Sequence, residues 1–212
     1  DGILTAEWVS LSCAGWAPTE SGTPSAAFAN ALALVSEKIG FPCVVKPRSA
    51  GSSVGVSMAD DAVGLAEALG AAAKWESSVI VERKITGREF SVGILDGQAL
   101  PPIEIVPKAG WYSYENKYQA GLTEEICPAR LSRDETETLQ TQALAVHRCL
   151  GLGSYSRIDF ILDGAGGFWC LEANTLPGMT PTSLLPQEAG AAGISYGDLC
   201  EKIARLAVNK RD

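Results

Sequence analysis

The sequence predicts an α+β protein, in which antiparallel strand pairs and helices occupy separate stretches of the chain. Two hairpin signals indicate the antiparallel pairs, because Asp96-Gly97 and the glycine loop 164–167 each lie between β-prone segments. Helical segments with cap and stop signals lie outside these hairpins. The strands that flank the two turns are predicted at residues 89–95, 99–106, 156–163 and 168–174.

Composition narrows the class of protein and of partner. The chain has 212 residues, 46% hydrophobic and 20% charged, which is typical of a soluble globular protein with a real core. No apolar run could span a bilayer and no signal peptide is visible, which predicts a cytoplasmic protein without a membrane partner. The net charge of −8 argues against nucleic-acid binding. Six cysteines without a CxxC motif argue against structural zinc and predict reduced thiols.

The chain begins with a short predicted strand at residues 7–11 and loop material at 15–25. An alanine-rich helix follows at 26–39. It is predicted to end at Gly40, because glycine readily adopts the left-handed conformation that closes a helix. Residues 43–46 then form a strand.

The segment 46–55 has the composition of a phosphate-binding loop. Lys46 ends a strand, and a run rich in glycine and serine follows it, including Ser52 and Ser53. Glycines let backbone N–H groups approach an anion, while the hydroxyls and the ammonium group add donors and charge. The pattern differs from a P-loop because the lysine precedes the glycines. A plain turn is the alternative for this segment.

Two further helices carry apolar residues at helical spacing. Residues 60–73 form the first, and residues 132–150 form the second, which begins with the capping box Ser132-x-x-Glu135. His147, on the second helix, is predicted to lie on the surface without a chemical role. The predicted inner residues are Val63, Ala66 and Leu69 in the first helix and Leu139, Ala143, Val146 and Leu150 in the second.

Two acids bracket the junction between a strand at 79–81 and the first hairpin. Glu82 ends the strand and Glu89 begins the hairpin. A purine needs an acceptor for its exocyclic amine and a ribose needs one for its hydroxyls, so this pair could serve both. The alternative is two solvated acids among basic neighbours. The long irregular stretch 107–128 carries several aromatic residues and is predicted to be a lid or binding loop.

The second hairpin is predicted to bring four polar side chains onto one face. Asp159 is expected opposite Glu172, and Arg157 opposite Asn174. Two carboxylates and an amide offer hard oxygen ligands for Mg²⁺, and the arginine offers a fork of donors for phosphate or carboxylate. A surface hairpin with a weak cross-strand salt bridge is the alternative. The other face is predicted to carry Ile158, Phe160, Leu162, Trp169, Leu171 and Ala173.

A tight loop at 175–183 follows the hairpin, and short helices are predicted from Leu184 and from Ser195. Together, these residues resemble the ATP-grasp part of the bacterial D-alanine–D-alanine ligase family. The resemblance covers nearly the whole chain, in family order. It is carried by the blocks VVKPRSAGSSVG (44–55), VIVERKITGREFSV (79–92), WYSYENKY (111–118), CPA (127–129), SRIDFIL (156–162) and LEANTLPGMTPTSL (171–184).

The resemblance implies an ATP-grasp fold in which a small subdomain, residues 1–84, and a large one, residues 85–212, clasp ATP between their sheets. It also implies a homodimer and a preceding domain of roughly a hundred residues, the size of a typical domain. That domain would supply an acid for the first D-alanine, and the segment missing here would also include a lysine for the phosphates.

The resemblance assigns a role to each candidate site residue. Asp159, Glu172 and Asn174 would hold two Mg²⁺ ions, or Mn²⁺, against the ATP phosphates. Arg157 and the backbone N–H of Gly178 would stabilise the transferring phosphoryl group and the tetrahedral intermediate. The remaining assignments are Lys46, Ser53 and Lys117 for the phosphates, Glu82, Lys84 and Ile85 for adenine, Glu89 for ribose, Ser52 and Tyr118 for the first D-alanine, and Ser183 and Leu184 for the second.

The implied reaction joins two molecules of D-alanine for peptidoglycan synthesis, and thus for cell wall and cell shape. One carboxylate attacks the γ-phosphate of ATP to give an acyl phosphate and ADP, and the second amine then displaces phosphate. Two alternatives stay open. One is a ligase that joins D-alanine to D-lactate or D-serine, and the residue Tyr118 argues against it. The other is a nucleotide-binding fragment without turnover.

Overall fold

The structure, a computed structural model, describes residues 2–17, 23–51, 53–108 and 122–209. These residues form two compact units, a smaller one of residues 6–85 and a larger one that contains residues 2–5 and those described from 86 onward. No helix in the described ranges is long and apolar enough to cross a membrane.

The helices and strands have the following bounds. The strands are β1 (Leu4–Thr5), β2 (Trp8–Ser12), β3 (Cys43–Pro47), β4 (Ser57–Ala59), β5 (Ser78–Arg83), β6 (Gly87–Leu95), β7 (Gln98–Ala99), β8 (Ile103–Pro107), β9 (Thr123–Ile126), β10 (Tyr155–Asp163) and β11 (Phe168–Asn174). The helices are α1 (Ala26–Lys38), α2 (Ala62–Ala72), α3 (Arg133–Cys149), α4 (Leu184–Ala191) and α5 (Tyr196–Asn209).

The smaller unit contains a four-stranded antiparallel sheet, in the order β2-β5-β3-β4, and the helices α1 and α2 share its apolar core. The sequence did not predict β4, because three residues are too few to show an alternating pattern. Helix α1 begins as its sequence indicates, since the Ser25 side chain accepts a hydrogen bond from the Phe28 amide. Gly40 follows the helix at φ +71° and closes it, as predicted.

The inner face of α2 differs from the prediction. Val63 is 70% exposed, whereas Leu65, Ala68 and Leu69 are buried. The helix consists almost entirely of alanine, leucine, valine and glycine, so the apolar periodicity does not single out one face. Burial of the two leucines decides the orientation instead.

The larger unit is built on a seven-stranded sheet. Its strand order is β1-β11-β10-β6-β8-β9, with β7 paired to β6. Residues 2–5, which the sequence placed with the small subdomain, lie here because β1 pairs in parallel with β11. Strand β9 lies within the stretch 107–128, which was predicted to be irregular, and pairs with β8. The first hairpin turn is confirmed, with Asp96 and Gly97 both at positive φ.

Helix α3 packs on one face of this sheet. Its predicted capping box forms between Ser132 and Glu135. Three of its predicted inner residues are buried, but Leu150 is 58% exposed and lies beyond the last turn of the helix. The apolar core beneath α3 contains Phe90, Val92, Ile94, Leu139, Ala143, Ile158 and Phe160.

His147 is buried, contrary to the prediction of a surface histidine. Its exposed fraction is 6%. The Nε2 atom lies 3.1 Å from the carbonyl oxygen of Gly153, and Nδ1 lies 2.7 Å from Ser156 Oγ. Because a carbonyl oxygen only accepts, Nε2 carries the hydrogen, and in the neutral ring Nδ1 accepts from the Ser156 hydroxyl. Polar partners at both nitrogens allow this ring to be buried.

The β10–β11 hairpin contains a β-bulge that the sequence did not reveal. Asp159 pairs with Glu172, but the next residue, Phe160, pairs with Cys170, so Leu171 is the extra residue. Beyond the bulge the alternation of β11 is reversed. Phe168 and Cys170 therefore pack in the apolar core instead of the predicted Trp169 and Leu171. The Trp169 Nε1 atom donates a hydrogen bond to Asp163 at 2.7 Å.

Candidate functional site

Four polar side chains of the β10–β11 hairpin lie together on the face opposite α3. The register pairs Asp159 with Glu172. It pairs Arg157 with Asn174. Side chains of directly opposed residues project from the same face of a sheet. The predicted register of these four residues is confirmed, because the bulge begins only after Asp159.

Asp159 is the centre of this cluster and is 6% exposed. Arg157 binds it in a bidentate manner, with Nε 2.9 Å from Oδ1 and Nη2 2.8 Å from Oδ2. Asn174 Nδ2 donates to Oδ2 at 3.1 Å and to Glu172 Oε1 at 3.2 Å. Ser91 Oγ donates to Oδ1 at 2.8 Å. Both oxygens of the buried carboxylate are therefore hydrogen-bonded, as a buried charge requires.

Ser91 was not among the predicted site residues. It lies on β6 directly opposite Asp159 of β10. The sequence shows each of these strands but not that they are neighbours, because many residues separate them and no turn joins them. A topology with β6 beside β10 would have identified Ser91, and also Gly93, which lies opposite Arg157.

The electrostatics of the cluster favour the charged forms of both partners. Burial alone would raise the pKa of the Asp159 carboxyl, but the Arg157 guanidinium and the Ser91 hydroxyl more than offset it, so the pKa is lowered. Burial alone would lower the pKa of Arg157, but the charges of Asp159, Glu172 and Glu188 raise it above its ordinary value. Asp159 and Arg157 are thus a buried ion pair, and Glu172 lies at its edge with its side chain 54% exposed.

The donor set of this cluster fits a magnesium-type cation. Among the described residues no group of three or more His, Cys, Asp or Glu is arranged to hold a metal, so the Asn174 amide is needed beside the two carboxylates. The nitrogen of that amide now bonds both carboxylates, so the amide would turn over to present its oxygen to a cation that they share. Oxygen ligands of this kind suit Mg²⁺ or Mn²⁺. A cation would share Asp159 with the guanidinium that now occupies both of its oxygens.

Glu188 is a second buried acid near this cluster, and no pattern in the sequence indicates its burial. It lies on α4 and is fully buried, and neither carboxyl oxygen makes a hydrogen bond with the described residues. Burial raises the pKa of this carboxyl well above its ordinary value, although the Arg157 charge opposes the shift. The Gly93 amide also opposes the rise of this pKa, but it does not meet hydrogen-bond geometry with either carboxyl oxygen.

The loop after the hairpin is held by hydrogen bonds around Ser183. Ser183 Oγ accepts from the Thr180 amide at 3.1 Å and lies 2.8 Å from Thr180 Oγ1. A Cβ at Gly178 would lie 2.9 Å from Ser183 Oγ, so glycine permits this close approach. Ser183 is the N-cap of α4, and the Leu184 side chain is buried. The first amides of α4 are therefore the groups that this segment can offer to an anion.

In the smaller unit two predicted nucleotide residues are bonded to each other. Lys46 Nζ lies 2.7 Å from Glu82 Oε1, across the β3–β5 pair. The Lys84 amide donates to the Pro42 carbonyl at 3.1 Å, so its own carbonyl is the better candidate for a base edge. Ser53, in the loop after Lys46, has φ +61°, a conformation that brings successive amides to one side.

Of the remaining predicted site residues, some are described by the structure and others lie outside its described part. Glu89 lies on β6 two residues before Ser91 and on the same face as that serine, because the β6–β10 register is regular. Ile85 follows β5 and is half-buried. Three predicted residues lie outside the described part of the chain, namely Ser52, Lys117 and Tyr118.

Comparison with known proteins identifies the family. The family model described as "D-ala D-ala ligase C-terminus" matches residues 2–205. The chain belongs to this family. Among curated relatives, it is 49% identical over 164 residues to the D-alanine–D-alanine ligase of Pediococcus pentosaceus, covering 77% of this chain and 46% of that protein. It is 44% identical over 173 residues to the enzyme of Methylacidiphilum infernorum, covering 81% and 57%.

Solved structures of this ligase family share the fold. The D-alanine–D-alanine ligase of Bacillus anthracis superposes with a TM-score of 0.80 at 34% identity, covering 99% of this chain and 64% of that one. The same enzyme complexed with ATP gives 0.78 at 32% identity, covering 99% and 62%. VanG D-Ala:D-Ser ligase of Enterococcus faecalis gives 0.81 at 25% identity, covering 97% and 57%. The predicted α+β ATP-grasp fold is confirmed, and the chain spans about half the length of the curated relatives that it matches.

Proposed function

We propose that this chain is the nucleotide-, metal- and substrate-binding part of a cytoplasmic D-alanine–D-alanine ligase. The enzyme would be ADP-forming and would supply D-alanyl-D-alanine for peptidoglycan synthesis. The observation that carries the proposal is the juxtaposition of Arg157, Asp159, Glu172 and Asn174 on one sheet face in a chain of this family. Residues 6–85 are assigned to base and phosphate binding, and the larger unit to metal and substrate binding.

The metal site is assigned to Asp159, Glu172 and Asn174. Two Mg²⁺ ions, when bound there with ATP, would neutralise phosphate charge and so allow one anion to attack another. Asp159 is preorganised for this purpose because Ser91 fixes its rotamer through Oδ1. Glu172 is the most exposed of the three, and its 3.9 Å ion pair with Arg157 is longer than the 2.8 Å pair of Asp159, so Glu172 is the ligand assigned to reach a second ion.

Arg157 is assigned to the transferring phosphoryl group. Its guanidinium is planar and permanently charged, and only 16% of its side-chain surface is exposed, which makes its field strong. The Gly178 amide is assigned to the oxyanion of the tetrahedral intermediate. Ser183 and Leu184, at the N-terminal end of α4, are assigned to the carboxylate of the second D-alanine.

The ATP assignments are those that the family resemblance implies. Lys46 and Ser53 would bind the inner phosphates, and Lys117 the γ-phosphate. The Lys46–Glu82 ion pair would open, because the lysine turns to phosphate and the acid turns to the adenine amine. The Lys84 carbonyl and Ile85 would complete adenine recognition, with Glu89 at the ribose. Ser52 and Tyr118 are assigned to the first D-alanine.

The sequence of events follows from these assignments. The carboxylate of the first D-alanine attacks the γ-phosphorus and ADP leaves, which gives an acyl phosphate. The amine of the second D-alanine then attacks the acyl carbon, and inorganic phosphate leaves. An acyl phosphate hydrolyses in water, so the aromatic segment 107–128 is proposed to exclude solvent. The protein is also proposed to act as a homodimer, which light scattering of the purified protein checks.

D-serine as the second substrate is the alternative that an observation favours. The D-Ala:D-Ser ligase VanG superposes as well as the D-alanine–D-alanine enzyme does, although at lower identity. The test is phosphate release and product analysis with ATP, Mg²⁺ and D-alanine, alone or with D-serine or D-lactate. D-Alanyl-D-alanine as the main product supports the proposal, and a mixed dipeptide or a depsipeptide as the main product overturns it. Calorimetric ATP binding without phosphate release would instead support a nucleotide-binding fragment.

A further inference from the structure

Glu188 is an acid for which the assignments above give no role. It is fully buried on α4, and both of its carboxyl oxygens lack a hydrogen bond within the described ranges. A buried carboxyl without partners destabilises the fold, because it has lost its hydration without compensation. The hydrophobic core around it, with Leu185 and Ala189 on the same helix, would accept an apolar residue at this position. The unfavourable acid therefore calls for another explanation.

Gly93 provides the space in which this carboxyl lies. A Cβ at Gly93 would approach Glu188 Oε2 to 2.3 Å and Leu185 Cδ1 to 2.4 Å. Gly93 lies in the middle of β6 and is not among the residues with positive φ, so backbone conformation does not require glycine there. The glycine instead leaves a gap in the sheet face, and the carboxyl of Glu188 fills it.

The strand register places this gap beside Arg157. Gly93 on β6 lies directly opposite Arg157 on β10, and Asn174 lies opposite Arg157 on its other side. Opposed side chains share a face, with Cβ atoms about 5 Å apart. The Glu188 carboxyl, which stands where a Gly93 side chain would be, is therefore the neighbour of Arg157 across the sheet. Arg157 therefore lies between Asp159, on its own strand, and the carboxyl of Glu188, which α4 places over Gly93 of the adjacent strand β6.

Arg157 and a bound cation would compete for Asp159. The guanidinium now uses both oxygens of Asp159, and the proposed function gives the same carboxylate to a cation. Two positive charges on one carboxylate repel each other, so the guanidinium must find another acceptor nearby. Glu172 lies 3.9 Å from Arg157 Nη2, but the proposed function gives its carboxylate to the cation as well. Glu188 is then the neighbouring buried acid whose oxygens make no hydrogen bond with the described residues.

We propose that Glu188 is a positioning residue for Arg157, and that its carboxyl accepts the guanidinium when a cation binds Asp159. The inference rests on the proposed function, since it needs the cation at Asp159. This transfer of the guanidinium from Asp159 to Glu188 keeps Arg157 beside the proposed metal site, where it can bind a phosphoryl group. It also lowers the free energy needed to separate Arg157 from Asp159. Gly93 is required for the same role, because any side chain at this position would displace the Glu188 carboxyl.

The test is the affinity of the purified chain for Mn²⁺ at a fixed concentration of β,γ-methylene ATP, measured by water-proton relaxation. Glu188→Leu removes the acceptor and is expected to weaken Mn²⁺ binding about tenfold, a typical coupling between two sites. Glu188→Gln keeps one acceptor oxygen and should recover part of that loss. The matched control is Glu104→Gln, because Glu104 is another buried acid, on the opposite face of the same sheet. This variant should bind Mn²⁺ with the affinity of the unchanged chain.

The Arg157 background separates positioning from a merely structural role. In Arg157→Gln no guanidinium has to be moved, so adding Glu188→Leu should leave the Mn²⁺ affinity unchanged. Equal Mn²⁺ affinity in Glu188→Leu and the unchanged chain overturns the Glu188 proposal alone, whatever happens to the unfolding midpoint. An equal loss in both backgrounds overturns it as well. If the unchanged chain binds no Mn²⁺ in the presence of the nucleotide, the proposed metal site is wrong, and the proposed role of Glu188 is wrong with it.

Discussion

Glu104 and Glu188 are both buried acids of the larger unit, yet their surroundings are opposite. Glu104 is 4% exposed and receives hydrogen bonds from Arg88 at 2.9 Å and from Arg130 at 3.4 Å. Glu188 is completely buried and receives none within the described residues. Glu104 lies on β8 opposite Phe90, on the side of the sheet that α3 covers, whereas Glu188 lies over the other side.

This difference between Glu104 and Glu188 distinguishes two roles that a buried acid can have. An acid with two guanidinium partners can stabilise the fold, because its lost hydration is replaced by fixed donors. An acid without donors destabilises the fold and points to a role in function. The α3 side of the sheet is therefore expected to respond to substitution through stability. The side that carries Asp159 and Glu172 is expected to respond through metal and nucleotide binding.

The largest expected effect is on the metal side, in Glu172→Gln. Loss of one carboxylate from the donor set should reduce D-alanine-dependent phosphate release at least about 100-fold. Folding should be little affected, because more than half of the Glu172 side chain is exposed. Phosphate release and urea unfolding are measured on the same preparation. Normal release per folded molecule, combined with a lower unfolding midpoint, would contradict the assignment.

The next effect is on the α3 side, in Glu104→Gln. The change leaves Arg88 and Arg130 without their shared carboxylate, and we expect a loss of about 2–3 kcal/mol in the free energy of unfolding. The value lies below that of a fully buried pair, because 44% of the Arg88 side chain is exposed. Urea denaturation measures it. The Mn²⁺ affinity should stay unchanged. A changed Mn²⁺ affinity with normal stability would contradict the assignment of the α3 side of the sheet to stability.

Local sequence predicted the contacts only between residues whose strands are joined by a short turn. The pairing of Asp159 with Glu172 follows from the hairpin itself and was predicted. Ser91, Gly93 and Glu188 reach the site only through the neighbouring positions of β6 and α4, which no local pattern specifies. The family resemblance supplied the roles of the loop residues, but no feature of the sequence marks an acid as buried without a partner.

Errors in the predicted packing have equally local causes. The bulge at Leu171 adds one residue to β11, and β-branched or aromatic alternation does not reveal such an insertion. In α2 nearly all residues are apolar, so Val63 was assigned to the wrong side. His147 was placed at the surface because histidine is polar, whereas its two hydrogen-bond partners allow burial.

A third effect tests whether His147 belongs to the structural side. In His147→Ala the Ser156 hydroxyl and the Gly153 carbonyl lose their ring partner, and a small cavity forms beneath α3. We expect a loss of about 1–2 kcal/mol in the free energy of unfolding, with unchanged Mn²⁺ affinity. Thermal and urea unfolding measure the stability. A phosphate-release defect in fully folded protein would instead assign the histidine to function.

The smallest effect compares the two acids directly through pH. Burial would raise the pKa of Glu104, but Arg88 and Arg130 lower it, so its stabilisation is present above about pH 4.5 and is lost as the pH falls through the folded-state pKa. The pKa of Glu188 is raised by burial. Between its ordinary value and its raised value, the unfolded chain releases a proton that the folded chain keeps. Stability therefore falls as the pH rises above about 4.5.

The variants should consequently diverge in opposite directions. Relative to the unchanged chain, Glu104→Gln should lose most stability at pH 7, and the loss should shrink only as the pH falls below about 4.5 through the lowered folded-state pKa of Glu104. Glu188→Gln should gain stability at pH 7, because the amide has no proton to lose on unfolding, and nothing near pH 4, where the carboxyl is protonated in the folded chain and largely so in the unfolded chain. Urea unfolding between about pH 3 and 8 gives both curves. A pH-independent difference for Glu188→Gln would show that the pKa of this carboxyl is not raised in the folded chain. A difference of the opposite sign would show that Arg157 already holds the carboxylate.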